Sequence, residues 1–300
     1  MKAAIVNSFK GSSSFEIIEK EEPTPKEGQV LVDVKAASIN PFDVKVLQGS
    51  YGEMGLKFPF VWGGDFSGVV RDTGEEIFGS AMVLNGGSGT YAQVVAVNNK
   101  NSAKKPSNTI FEESGALPLV GSSAVQALED HIKLQGGHKI LIHGGAGGIG
   151  HIAIQVAKAI GAHVATTVST KDIEFVKNLG ADEIIDYKTQ QFEDMVSDYD
   201  AVFDTVGPST WEGSFKILKD GGTFVSMLGE PKSEEKNKNI TTIGQSSQTN
   251  SEHLEKIAKY VEEGKVKVHI DKVFPLDQIK EAFEYQENSK PRGKVVIKIS

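Results

Sequence analysis

The residues best suited to chemistry in this sequence are glycines. The run Lys139-Ile140-Leu141-Ile142-His143 reads as a buried strand, and Gly144-Gly145-Ala146-Gly147-Gly148-Ile149-Gly150 follows it and opens an apolar helix. Gly145, Gly147 and Gly150 satisfy the G-x-G-x-x-G spacing, and Gly144, Gly147 and Gly150 fit a second register equally well. In either register the glycines permit a tight turn, close approach of the backbone to a pyrophosphate and close packing of the helix. The helix N-terminus adds unpaired N–H groups and a positive dipole end. The chemistry expected here is the binding of a dinucleotide.

A second position refines that expectation. A site that prefers NAD places Asp or Glu at the end of the second strand, about 20 residues after the glycines, to hold the ribose 2′-hydroxyl. Here that place is taken by Thr167-Val168-Ser169-Thr170-Lys171. Hydroxyls and an ammonium suit a 2′-phosphate, which a carboxylate would repel, so NADP(H) is the expected cofactor. Asp172, one residue further on, works against that reading, and Ser169 could equally cap the following helix.

These residues need a scaffold, and its outline is visible. Up to about residue 110 the chain carries short strand candidates such as Gln29 to Val34 and Tyr91 to Val97, separated by Gly, Pro, Asn and Ser, which reads as a mostly β domain. From about 112 the rhythm changes to alternation. A helix is expected at Glu112 to Asp130, strands at Lys139 to His143 and His163 to Val168, and helices at Ile149 to Ile160 and Lys171 to Leu179. Short strands at Glu183 to Ile185, Ala201 to Asp204 and Thr223 to Met227, with a helix at Ser209 to Leu218, continue the pattern. Strands alternating with helices of this length imply a parallel sheet. Pro231 to Asn250 reads as an exposed polar loop with one embedded strand. The end of the chain returns to β character at Val266 to Phe274 and Lys294 to Ile299, around a helix at Leu276 to Asn288.

Bulk properties narrow the class. A chain of 300 residues exceeds what a single core commonly fills, so two domains are expected. With 39% hydrophobic and 24% charged residues it is globular in composition. The net charge of −8 argues against a broad nucleic-acid or membrane-surface footprint, because phosphate affinity needs clustered Lys and Arg. The N-terminal sequence lacks a secretory pattern and no apolar stretch approaches a membrane span, so a cytoplasmic setting is expected. With no cysteine, disulfides, thiolate nucleophiles and zinc sites with sulfur ligands are excluded.

Several motifs in order carry a family likeness: the glycine strand, Gly161-Ala162, Leu179-Gly180-Ala181-Asp182 and Phe203-Asp204-Thr205-Val206-Gly207 in the second half, and Ser38 to Asp43, Pro59 to Gly68, Gly115-Ala116-Leu117-Pro118 and Arg292 to Val296 outside it. On these the chain resembles the medium-chain dehydrogenase/reductase superfamily, and within it the zinc-independent quinone oxidoreductase branch typified by zeta-crystallin. The resemblance covers essentially the whole chain. It implies an α/β protein with a GroES-like β domain from residues 1–112 and 262–300 and a Rossmann domain, a doubly wound parallel sheet, from 113–261. The connection Arg71 to Glu76 is shorter than relatives usually carry there, a change a surface loop should tolerate.

The resemblance also assigns roles. It implies an NADPH-dependent reductase of quinones or α,β-unsaturated carbonyls, a small-molecule electrophile as partner, and a homodimer. It points to Asn40, Tyr51 and Ser123 as substrate-side residues, to Ser169, Lys171 and Tyr187 around the 2′-phosphate, and to Thr205, Val206 and Gly207 along the cofactor. Leu228 and Gly229 would lie near the nicotinamide, with Arg292 as a further phosphate partner. Asp43 and Asp65 read as buried hydrogen-bond anchors rather than an acid–base pair. In zinc-dependent relatives a His-Glu pair stands near Gly64-Asp65; the histidine is missing here, and the seven scattered histidines read as surface or packed residues, so no metal is expected. An enoyl-thioester reductase and a non-catalytic NADPH-binding redox sensor are the alternative readings.

Overall fold

A computed structural model describes residues 1–52, 54–232 and 239–299. It contains two compact units. Unit 1 comprises Met1–Leu119, Thr249–Glu262 and Val268–Ser300, and unit 2 comprises Val120–Gln248 and Glu263–Lys267.

Unit 1 is built on the strand Gln29–Ile39, which is long enough to serve several partners. Its first half pairs antiparallel with Val94–Asn98 and its second half with Lys294–Lys298, from the far end of the chain. Its other edge pairs with Asp65–Val70, with an irregularity between Val34 and Ala36. Glu76–Ser80 and Ser102–Lys104 extend the sheet on that side, and Ile270–Pro275 extends it on the other. The short connection from Val70 closes through Gly74, whose φ of 74° supplies the left-handed residue a tight hairpin needs. A second sheet joins Phe15–Glu19, Lys2–Val6 and Phe60–Val61. Phe15, Trp62, Phe66, Tyr91 and Phe283 are buried in one core.

Unit 2 carries a parallel sheet of β1 (Lys139–His143), β2 (His163–Val168), β3 (Glu183–Asp186), β4 (Tyr199–Asp204), β5 (Leu218–Ser226) and β6 (Thr241–Gly244). Among the described residues its spatial order is β3-β2-β1-β4-β5-β6. Helices α1 (Gly148–Ile160), α2 (Ile173–Asn178) and α3 (Trp211–Ile217) connect the strands. Ile140, Leu141 and Ile142 of β1 are all buried, as a parallel strand covered on both faces requires. Ala165, Leu141, Val202 and Phe224 form a row across four strands and pack with Phe215 and Ile217 of α3 and its end.

Three elements depart from the sequence expectation. The helix expected over Glu112 to Asp130 is divided into Phe111–Gly115, Pro118–Val125 and a π-helical turn at Gln126–His131. Pro118 lacks the N–H that would continue the first helix and instead begins the second. The polar segment 231–250 does hold a strand, β6, followed by irregular chain in which Ser246 and Gln248 are exposed as expected but Gln245 is buried. Residues 233–238 of that segment lie outside the described residues. An amphipathic helix at Ser251–Glu262 buries Leu254, Ile257, Ala258 and Val261 in unit 1.

Candidate functional site

The C-terminal ends of the unit 2 strands collect most of the residues singled out by the sequence. The order reverses between β1 and β4, and in open α/β sheets this is where ligands bind. β1 ends at His143 and the glycine loop turns immediately, with Gly144 at φ 77°. The backbone shows which glycines are obligatory. A Cβ on Gly150 would stand 2.2 Å from the Gly144 carbonyl oxygen, and one on Gly145 would stand 2.1 Å from Thr166 Oγ1. A Cβ on Gly144 would come within 2.7 Å of Thr205 Oγ1 and 3.2 Å of Val206 Cγ2. Gly147, where a Cβ would stand 3.3 Å from the Gly144 carbonyl oxygen, is less crowded and caps α1.

That cap has no side chain to accept from the first turn. The N–H groups of Gly148, Ile149 and Gly150 begin an α-helix, so they have no acceptor within it, and the helix dipole adds positive potential. Ala146 to Ile149 are half-buried. A cradle with no room for a side chain at Gly144, Gly145 or Gly150, and with helix-start amides on offer, fits the pyrophosphate of a dinucleotide.

Beneath the loop lies a buried hydrogen-bonded network. Ser214 Oγ donates to the Thr210 carbonyl at 2.7 Å and therefore accepts from His143 Nε2 at 3.0 Å. His143 Nδ1 is then left to accept from Thr167 Oγ1 at 3.0 Å, and Thr167 Oγ1 accepts in turn from Gly144 N–H at 3.3 Å. Burial holds the His143 pKa down to about 4, so the ring is neutral near pH 7.

The neighbouring loops share one anchor, Asp204 at the end of β4. Its carboxylate accepts from Val206 N, Gly207 N, Thr210 Oγ1, Trp211 Nε1 and Ser226 Oγ at 2.8 to 3.1 Å. Thr205 Oγ1 donates to the His143 carbonyl. Leu228 N donates to Ser226 Oγ, and a Cβ on Gly207 would sit 3.4 Å from Leu228 Cγ. Thr205-Val206-Gly207 and Leu228-Gly229 are thus brought to the same edge as the glycine loop. Asp204 belongs to the motif Phe203 to Gly207, but its role as organiser depends on Trp211 on the next helix and on Ser226 at the end of the next strand.

At the other end of the edge, β2 and β3 finish side by side and Tyr187 N donates to the Val168 carbonyl. This places Tyr187, half exposed, beside Ser169, Thr170 and Lys171. Asp172 is buried and accepts from Ser169 Oγ at 2.6 Å, while Thr170 Oγ1 donates to Asp186 at 2.5 Å. The acid next to the site is therefore tied to Ser169 rather than exposed for a ribose.

The residues that the resemblance assigns to the substrate side are distributed. Asn40 and Tyr51 belong to unit 1 and Ser123 to unit 2. Asn40 is buried with both ends of its carboxamide engaged: Nδ2 donates to Asp65 Oδ2 at 2.8 Å and Oδ1 accepts from Lys294 Nζ at 2.5 Å. Asp65 also accepts from Ser38 Oγ and from Leu119 N, and Asp43 accepts from Asn40 N and Trp62 Nε1. Burial pushes Asp43 up to about 7, with the Asp65 charge adding to the rise; it raises Asp65 and lowers Lys294 as well. Tyr51 is 49% exposed and packs on Phe42 with ring centroids 5.3 Å apart. Ser123 is buried, 2.7 Å from Ser247 Oγ. Arg292 lies half-buried in unit 1, just before the strand Lys294–Lys298.

A metal is a different matter. Among the described residues no three His, Asp or Glu side chains converge where a metal ion could sit, and the chain has no cysteine. The donor set of a zinc site is not present there.

The 3-2-1-4-5-6 sheet with a glycine cradle at its reversal defines unit 2 as a Rossmann-type dinucleotide-binding fold. Residues 26–107 match the family described as alcohol dehydrogenase GroES-like domain, and residues 179–297 match the one described as zinc-binding dehydrogenase. The chain is 36% identical to the tomato (Solanum lycopersicum) 2-methylene-furan-3-one reductase, over 97% of this chain and 78% of that protein. It is 34% identical to the Arabidopsis thaliana NADPH-dependent alkenal/one oxidoreductase, chloroplastic, over 99% of this chain and 79% of that one. Among solved structures, the quinone oxidoreductase from Coxiella burnetii superposes with a TM-score of 0.89 at 31% identity, covering 100% of this chain and 99% of its own. The chain belongs to the medium-chain dehydrogenase/reductase superfamily, in its quinone oxidoreductase branch.

Proposed function

We propose that this protein is an NADPH-dependent oxidoreductase that reduces quinones or α,β-unsaturated carbonyls by hydride transfer. The observation that carries the reading is the start of α1, capped by Gly147 with no side-chain acceptor and joined to a glycine loop with no room for side chains, at the strand where the sheet order reverses. The name of the Arabidopsis relative supports the cofactor, and the names of the tomato, Arabidopsis and Coxiella relatives support the substrate class.

When bound, NADPH supplies the hydride. The chain's own residues hold and orient it. The amides at the start of α1 take the pyrophosphate, and Ser169, Lys171 and Tyr187 take the 2′-phosphate, where Lys171 contributes charge. Thr205 to Gly207 and Leu228-Gly229 line the edge towards the nicotinamide. The carbonyl oxygen that gains negative charge needs a donor, and the Tyr51 phenol and Ser123 hydroxyl are the proposed ones. Asn40 serves mainly by fixing the local structure through Asp65 and Lys294. Reduction of an enone is completed by a proton from solvent or from one of these hydroxyls.

The reaction is proposed to proceed without zinc, so that exhaustive treatment with a chelator leaves the rate unchanged. The protein is further proposed to be a cytoplasmic homodimer, which light scattering and fractionation test. No helix among the described residues is long and apolar enough to cross a membrane. A panel of quinones, alkenals, alkenones and enoyl thioesters assayed by NADPH oxidation tests the reaction. Turnover of the first three classes is expected; turnover of thioesters alone would replace the reading.

A further inference from the structure

His143 is the last residue of β1, one position before the first loop glycine, and it is fully buried, so its ring meets no ligand. The ring nevertheless sits in a fixed slot. Phe192 packs edge-on against it with centroids 4.6 Å apart, and Gly213 leaves room for Phe192, since a Cβ there would stand 2.6 Å from Phe192 Cζ. The His143 carbonyl oxygen is held as well, accepting from Thr205 Oγ1 at 2.7 Å.

The hydrogen bonds around the ring run in one direction. Ser214 Oγ donates its only proton to the Thr210 carbonyl, so the imidazole carries its proton on Nε2 and keeps a lone pair on Nδ1. The Thr167 hydroxyl turns its proton to Nδ1, which leaves an oxygen lone pair facing Gly144 N–H. Donation therefore passes from Gly144 N–H to Thr167 Oγ1, on to His143 Nδ1, from Nε2 to Ser214 Oγ, and ends at the Thr210 carbonyl. Gly144 N–H also reaches the Thr167 carbonyl at 3.2 Å, so two acceptors of one residue hold it. Bonds chained in this way inside a protein polarise and strengthen one another.

The two ends of the chain are two neighbouring loops. Gly144 opens the glycine loop, and Thr210 is tied to the loop after β4 by its N–H, which donates to the Gly207 carbonyl at 3.1 Å. A neutral imidazole suits the middle place because it accepts at one nitrogen and donates at the other. An apolar side chain there would leave the Thr167 hydroxyl free to turn its proton towards Gly144 N–H, where two donors would meet. We infer that His143 is a positioning residue for the cofactor: Nδ1 orients the Thr167 hydroxyl, and through it Gly144 is held in the geometry that lets the glycine loop take the pyrophosphate. The assignment rests on the NADP(H) reading of this edge. A loop held in its binding geometry beforehand loses less freedom on binding, so the effect falls on affinity.

Titration with NADP⁺ and with adenosine 2′-monophosphate, which has the 2′-phosphate but no pyrophosphate, tests this. His143→Leu should weaken NADP⁺ by about fivefold and leave adenosine 2′-monophosphate unchanged. His143→Asn, whose Oδ1 can accept from Thr167 in place of Nδ1, should recover most of the loss. Thr167→Val should match His143→Leu, and the double variant should lose no more than either single one, because both remove the same link. If His143→Leu does not fold, Thr167→Val and His143→Asn carry the comparison: the first should lose affinity and the second should keep it. Full affinity in Thr167→Val, equal losses for the two ligands, additive losses in the double variant, or no recovery with His143→Asn would overturn the assignment while leaving the NADP(H) reading in place. A wild-type protein that binds neither ligand would overturn that reading and this assignment with it.

Discussion

Each unit buries a polar network at the end of a strand, but the two networks differ in charge. In unit 1, Asp43, Asp65 and Lys294 are ionisable groups sealed among Asn40, Ser38, Trp62 and Tyr91. In unit 2, the neutral ring of His143 runs between Thr167 and Ser214, and Asp204 is spent on loop amides and hydroxyls. The first network locks a core. The second fixes the backbone of the glycine loop and of Thr205 to Gly207, and a neutral ring beneath that loop leaves the helix dipole and amides to set the local potential. Polar burial therefore serves stability in one unit and presentation of a surface in the other.

The folded pKa of Asp43, about 7, lies above the unfolded value of about 3.9, so the folded state retains a proton that the unfolded chain releases. The stability this group contributes is complete below about pH 4 and is lost as pH rises through about 7. At about 1.4 kcal/mol per pH unit the swing approaches about 4 kcal/mol. Asp43→Asn should be less stable at low pH and show a flatter dependence between pH 4 and 8 in denaturant titrations; an unaltered slope would remove the charged character assigned to unit 1.

His143 should behave in the opposite sense. Its folded pKa of about 4 lies below the unfolded value of about 6.5, so stability is full above about 6.5 and is lost as pH falls through about 4. The expected swing is about 3 kcal/mol. His143→Gln should abolish it, and a wild-type imidazole that titrates near 6.5 by NMR would contradict the buried neutral ring.

Glycine substitutions separate the units by function. Gly150→Ala and Gly68→Ala both force a Cβ against backbone oxygen, at 2.2 Å and 2.3 Å respectively, and each should cost about 2–3 kcal/mol of stability. Only Gly150→Ala should also reduce NADPH affinity of the folded protein, by more than about tenfold. Equal affinities in the two variants would detach the cradle from the cofactor. The smallest expected effect is at Lys171: Lys171→Ala should weaken NADPH by about tenfold and leave NADH unchanged, whereas equal losses would contradict its contact with the 2′-phosphate.

Much of this was legible in local sequence. β1 and β2 begin and end where their apolar runs do, because parallel strands buried on both faces must be continuous in hydrophobicity. The glycine motif was equally visible, although the choice between its registers was not: Gly144, Gly145 and Gly150 are all fixed by contacts with Thr166, Thr205 and each other. Asp43 and Asp65 are the anchors their motifs suggested. What escaped the sequence is non-local. Ser251–Glu262 carries the helical spacing Leu254, Ile257, Ala258 and Val261 but is too polar to stand out. Gln245-Ser246-Ser247-Gln248 has the composition of a loop, and only its bonds to residues 123 and 126 reveal that it is tied down and that Gln245 is buried.

NADPH binding at the C-terminal edge of the unit 2 sheet is open to direct calorimetric titration of the wild-type protein with NADPH and with NADH. Saturable binding of both is expected, with a lower Kd for NADPH; a lower Kd for NADH, or no binding of either, would overturn the assignment of this edge.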